Sequence, residues 1–159
     1  MKSWMYRSFQ KMNAAMVVLQ SPFLLLVRLY WGWQFAQTGW GKLHHIARVT
    51  GFFTDLGIPF PHASALWVAL LEFVGGILLA VGFLSRPVAL LLAADMLVAY
   101  LTADRDAFTA FFHDPGKFYG AAPFTFLAAA LVIMIFGPGR FAVDAIFDRL
   151  ADSRTGQDL

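Results

Sequence analysis

Three ionisable residues sit inside long apolar runs: Arg28, Glu72 and Asp95. A charge at the centre of a membrane helix costs at least about 2.5–3.5 kcal/mol, so such residues turn toward the interior of a bundle and find partners. One cation and two carboxyl groups on three separate runs are expected to form one buried polar cluster. Counting inward from the turn between the second and third runs, Asp95 is about eight residues deep and Glu72 about twelve, an axial difference of about 6 Å. Arg28 is expected level with Asp95 or between the two carboxyl groups. One arginine does not balance two carboxylates, so one acid is expected to hold a proton. Two readings follow. The cluster is a site for a proton or a quinone head group, or it is a neutral polar lock that fixes helix register. Gln34, Gln37 and Tyr100 would extend either network.

Other chemistry is scarce. Cysteine is absent, which removes disulfides, thiolate catalysis and Cys-ligated zinc or iron–sulfur clusters. Any electrons must come from a partner or a diffusible cofactor. The histidines His44, His45, His62 and His113 all fall in connections, and none lies mid-helix, where a bis-histidine haem would need them. No spacing selects a metal site from His44, His45, His113 and Asp114, and none is expected. No phosphate-binding loop or hydrolase motif is present.

The elements that must position these residues are apolar helices. Hydrophobic residues make up 59% of the 159-residue chain and charged residues only 14%. A soluble domain carries about 25% charged residues, and lipid is the solvent that can cover the excess apolar surface. Nucleic-acid binding is not implied by the pI of 9.2, because Lys and Arg nowhere cluster. Four apolar runs are predicted as membrane helices over about residues 21–40, 65–84, 87–103 and 121–137. Alternating strand periodicity is missing. The fold class is therefore all-α, an integral membrane four-helix bundle in one domain over residues 21–145.

Residues 1–20 read as a basic amphipathic segment, with Met5, Phe9, Met12 and Met16 on one face and the membrane surface as its place. Residues 146–159 read as a charged cytoplasmic tail. The connection from Gly41 to Ser64 mixes aromatic and turn residues and is expected to hold a short interfacial or re-entrant piece. Ser85, Arg86 and Pro87 are expected to form a tight turn. Gly75 and Gly76, three and four residues after Glu72, read as a helix-packing face. Lys and Arg are more frequent in the N-terminal segment, the second turn and the tail than in the other connections, which places both termini in the cytoplasm.

The motifs together resemble the DoxX family of small bacterial membrane proteins. RLYWGWQFAQTGWGKL at Arg28–Leu43 is similar to that family's first helix, and GFFTDLGIPFP at Gly51–Pro61 to the segment after it. LLEFVGGILLAVGFLSRPVALLLAADML at Leu70–Leu97 and GPGRFAVD at Gly137–Asp144 complete the pattern. The resemblance implies a four-helix protein of the bacterial inner membrane, with Arg28, Lys42, Glu72 and Arg86 at the family's polar positions. It also implies a link to quinone-linked redox or oxidative-stress chemistry, as a subunit or accessory factor beside a membrane redox partner. The alternatives are a non-enzymatic assembly protein and a small dimeric proton-coupled transporter.

Overall fold

The computed structural model describes residues 2–147 and residue 150. Among them there is no strand. The elements are α1 (Lys2–His44), α2 (Ile46–Asp55), α3 (Pro61–Val81), α4 (Ser85–Thr102), α5 (Arg105–Thr109), α6 (Pro115–Gly120) and α7 (Pro123–Phe136). A single 3₁₀ turn, Ala110–Phe112, joins α5 toward α6.

Helices α1, α3, α4 and α7 form the bundle. Three of them, Met16–His44 within α1, Pro61–Val81 and Ser85–Thr102, are long and apolar enough to cross a membrane. The fourth, α7, is equally apolar but shorter. Its 14 residues span only about 21 Å. It starts beside the far end of α4, where Tyr100 bonds to the segment just before it, and finishes beside Arg86. The outward faces carry Leu26, Leu29, Leu70, Ile77, Leu90, Leu97 and Leu101, each more than a third exposed. A continuous apolar coat of that extent is a lipid-facing surface. The core between α4, α7 and α1 is built from Phe35, Leu92, Met96, Tyr100, Leu127 and Ile133.

Helix ends depart from the sequence expectation in instructive ways. The first helix does not begin at Ser21. It runs unbroken from Lys2, through Pro22, to His44, about 64 Å. The predicted surface segment 1–20 is thus continuous with the first span. Phe9, Met12 and Met16 are exposed, and the Met5 side chain lies outside the described residues. Of the predicted tail, residues 148, 149 and 151–159 likewise lie outside them.

Helix α3 ends at Val81 because Gly82 takes φ +75°. Gly82 and Phe83 donate back to Leu78, the pairing of a Schellman ending. Ser85, Arg86 and Pro87 are therefore not the turn. They form the first turn of α4, where proline needs no helical donor.

That start of α4 is capped from far along the chain. The Asp144 carboxylate accepts from Leu84 N and Ser85 N, both at 2.8 Å, and Asp144 N donates to Gly82 O at 2.9 Å. A carboxylate at a helix N-terminus satisfies orphan donors and meets the positive end of the helix dipole. It also holds Leu84 at φ 49°, a conformation unfavourable for a leucine. Asp144→Ala is expected to cost about 1–2 kcal/mol, and Asp144→Asn less. Thermal unfolding in detergent checks this; an unshifted midpoint for Asp144→Ala would remove the cap from the account.

Candidate functional site

Small residues set the register between α1 and α3. Gly32 lies against Gly76 and Ala80, and Gly39 against Ala69 and Phe73. Gly76 in turn meets the backbone of Gly32 and Ala36. Such close approach is what small residues permit in a membrane. Gly75, its neighbour, faces the other way, toward Val88 and Leu92 of α4. Both glycines are packing residues.

This register decides which charges meet. The chains run antiparallel, so Arg28 falls level with Gly82. Glu72 is ten residues earlier on α3, about 15 Å away along the axis. The expected cluster of Arg28 with Glu72 and Asp95 does not form. Arg28 is fully buried and donates to Phe141 O at 2.7 Å. Its Nε and Nη1 have no hydrogen-bond partner among the described residues, and the charge of Asp144 acts on it. Arg28 thus ties α1 to the segment after α7, at the bundle end that holds the α3–α4 turn.

The cation that reaches Glu72 is Lys42, with Nζ 2.6 Å from Oε1. Lys42 lies three residues past Gly39, on the part of α1 that packs against α3. Its position is one turn beyond the level of Glu72, and the four-carbon stem reaches back to close the gap. Asp95 completes the group. Glu72 lies nine residues from Val81 and Asp95 ten from Ser85, so the two carboxyl groups share one depth. The two carboxyl groups act on each other electrostatically, and Lys42 acts on both. Glu72 is 2% exposed. Glu72 Oε2 and Asp95 Oδ2 have no partner among the described residues.

These three residues form the floor of a cavity of about 830 Å³. Its walls are α2, the start of α3 and the C-terminal half of α4, and they are mostly apolar, with Phe52 and Phe53, Trp67 and Leu71, Leu91 and Val98, while Arg48, Ser64 and Thr102 add polar groups. The volume is that of a site for a small organic molecule, and an apolar pocket with a few convergent polar groups is the usual form of such a site.

The remaining sequence candidates lie elsewhere. Gln34 bonds to Tyr30 OH at 3.3 Å, one turn away on α1, and Gln37 is exposed. Tyr100 is buried on the α7 side of α4. Its hydroxyl donates to Phe118 O at 2.8 Å and its ring stacks on Phe118 at 4.9 Å. It ties α4 to α6 and does not extend the carboxyl network. The Arg86 guanidinium lies against Gly137 at the C-terminal end of α7, where a cation suits the helix dipole. His44 and His45 place Nδ1 on Trp40 O and Gly41 O, one turn back. Among the described residues no three His, Asp or Glu side chains gather as metal ligands do.

Two residues of the arrangement carry no local signal of their role. Lys42 reads as a connection residue, and only the glycine spacing before it marks the face it occupies. Asp144 caps a helix some sixty residues away, beyond the reach of any short motif.

The fold and site define a helical membrane protein with a buried polar floor beneath an apolar cleft. Residues 23–105 match the DoxX family, and the chain belongs to it. It is 27% identical over 132 residues to the inner membrane protein YqjF of Escherichia coli (strain K12), covering 82% of this chain and 96% of that protein. No solved structure matches.

Proposed function

We propose that this DoxX protein resides in the bacterial inner membrane and binds a quinone head group in the cleft, serving a quinone-linked redox system. The observation that carries this reading is the floor itself. Two unpartnered carboxyl oxygens and one ammonium line a cavity whose other walls are mostly apolar, with Arg48 as a second cation in its lining. Buried polar atoms left without partners are costly, and they are kept where a ligand meets them. A quinone is neutral, carries opposed carbonyl oxygens, and brings an apolar tail. Lys42 Nζ is a donor for one such oxygen. With one cation and two carboxyl groups the floor is neutral when it holds one proton, and that O–H is a second donor.

The chain has no cysteine, so thiolate-held clusters must belong to a partner, and the chain acts as a subunit or accessory factor. The surplus of Lys and Arg at the end holding Arg86 and Arg140 supports cytoplasmic termini, which sets the cleft in the outer half of the bilayer.

Protein purified in mild detergent is expected to retain quinone extractable by organic solvent. Glu72→Gln, isosteric and uncharged, is expected to retain at least about fivefold less, from the loss of the carboxyl O–H donor and of the charge that positions Lys42. Equal quinone in the two preparations, or none in the wild type, would refute the assignment.

A further inference from the structure

We propose that the ligand reaches the cleft sideways from the bilayer, through a seam between α2 and α4, and that its tail stays in that seam. The inference rests on the reading of the cleft as a ligand site and adds the route and the chemical class: a lipid-phase molecule with one apolar chain. Three observations carry it.

The first is how the walls are joined. Helix α2 packs mainly on α3, and α4 packs on α3 and α7, while residues of α2 and of α4 both line the cavity. The second is the chemistry of the two lips. Phe52 on α2, and Leu91 and Val98 on α4, all line the cavity and are 49%, 49% and 53% exposed. Side chains that are both lining and exposed mark an opening. Lips of this kind are wetted by acyl chains rather than water, and the helical backbones behind them leave no polar group unsatisfied. The third is the anchoring of α2. It buries none of its residues. It hangs between the break at His45 and Gly57, the latter at φ +70°. Of the walls, it is the one that can yield to a passing ring at least cost in core packing.

The polar floor belongs to the same cavity, with Glu72 Oε2 buried and unpartnered. A head group drawn to it leaves its chain pointing back out between Phe52 and Val98. The tail then adds little contact beyond its first units, because the rest remains in lipid.

The absence of native cysteine makes the route measurable. Leu71→Cys places a thiol on the inner wall, and Ile135→Cys places one on the outer face of α7 as a control. Each is labelled in membranes with an uncharged, lipid-soluble maleimide and with a sulfonated, water-soluble one. The uncharged reagent is expected to label Leu71→Cys at least about tenfold faster than the charged reagent, since a charge partitions poorly into the bilayer. Adding Val98→Trp, which fills the seam, is expected to slow that labelling at least about fivefold and leave Ile135→Cys unchanged. Ala94→Cys, on the α4 wall, serves as reporter if Leu71→Cys does not fold. Faster labelling by the charged reagent, or no effect of Val98→Trp, would overturn the lateral route. Labelling reads access and quinone extraction reads occupancy, so failure of one is distinct from failure of the other.

Discussion

Gly76→Val is expected to dismantle the bundle, while Gly75→Ala, one residue away, leaves it standing. A Cβ at position 76 would fall 2.5 Å from Ala36 N and 2.6 Å from Gly32 O. Both are backbone atoms of α1, so no rotamer change makes room. The helices must separate, and every contact along the Gly32–Ala36–Gly39 face weakens with them. Overpacking of this kind costs about 3 kcal/mol or more when the obstacle is backbone. Without water to drive helices together, that packing is a main source of association in lipid. At position 75 the new Cβ meets Leu92 Cδ2 at 3.3 Å, a flexible side chain. Alanine also gains roughly 0.5–1 kcal/mol over glycine within a helix. Gly75→Ala should therefore be neutral within about 1 kcal/mol. Size-exclusion profiles and thermal midpoints in detergent decide the contrast. A monodisperse, wild-type-like Gly76→Val would show that α1 and α3 do not pack as described.

Lys42→Met should destabilise the protein by about 3 kcal/mol, and a second change, Glu72→Leu, should recover most of that loss. Removing one partner of a buried pair leaves the other charge without compensation, which is the costly event, whereas replacing both by apolar residues is often neutral. Glu72 is 2% exposed and has Lys42 as its ion-pair partner. The pair is half open on the lysine side, where Lys42 is 31% exposed, so the cost belongs at the lower end of the buried range. A double-mutant cycle in thermal unfolding isolates the coupling. Additive effects of the two changes would mean that the ion pair contributes nothing to the fold.

The four apolar helices are legible in the sequence, and so is the small-residue pair Gly75 and Gly76 that lies at helix–helix contacts, because hydropathy and small-residue spacing are local properties. The buried cluster is legible only in part. Glu72 and Asp95 are recognisable as bundle-facing acids from their positions in apolar runs. Their cation is not. Depth counting depends on helix ends, and Gly82 ends α3 three residues before the apolar run does. That error separates the acids by about one turn when they share one depth. Arg28 looks closer to them than it is because the start of α1 has no boundary signal; the helix passes through Pro22 without stopping. Lys42 looks like a loop residue for the matching reason at the other end, since α1 continues to His44. The glycine register across two helices is needed to see that Arg28 meets Gly82 and Lys42 meets Glu72. No single-helix pattern contains that information.

A consequence is that the two charged regions have separate tasks. Arg28 and Asp144 hold the α3–α4 turn to the segment following α7, and their loss should register as stability. Lys42, Glu72 and Asp95 face a cavity, and their loss should register as binding once folding is controlled for. The apolar pair Lys42→Met with Glu72→Leu supplies that control, because it keeps the helices packed and removes two of the three polar groups of the floor, leaving Asp95.

Quinone retained by this double variant is therefore the decisive quantity. Wild type and variant, each monodisperse and of similar thermal stability, are purified in parallel and extracted. Bound quinone is expected in the wild type, with a loss of at least about tenfold in the variant, from the loss of the Lys42 hydrogen bond and of the Glu72 carboxyl. Equal quinone in both would contradict it, and would leave the charged floor as a packing device.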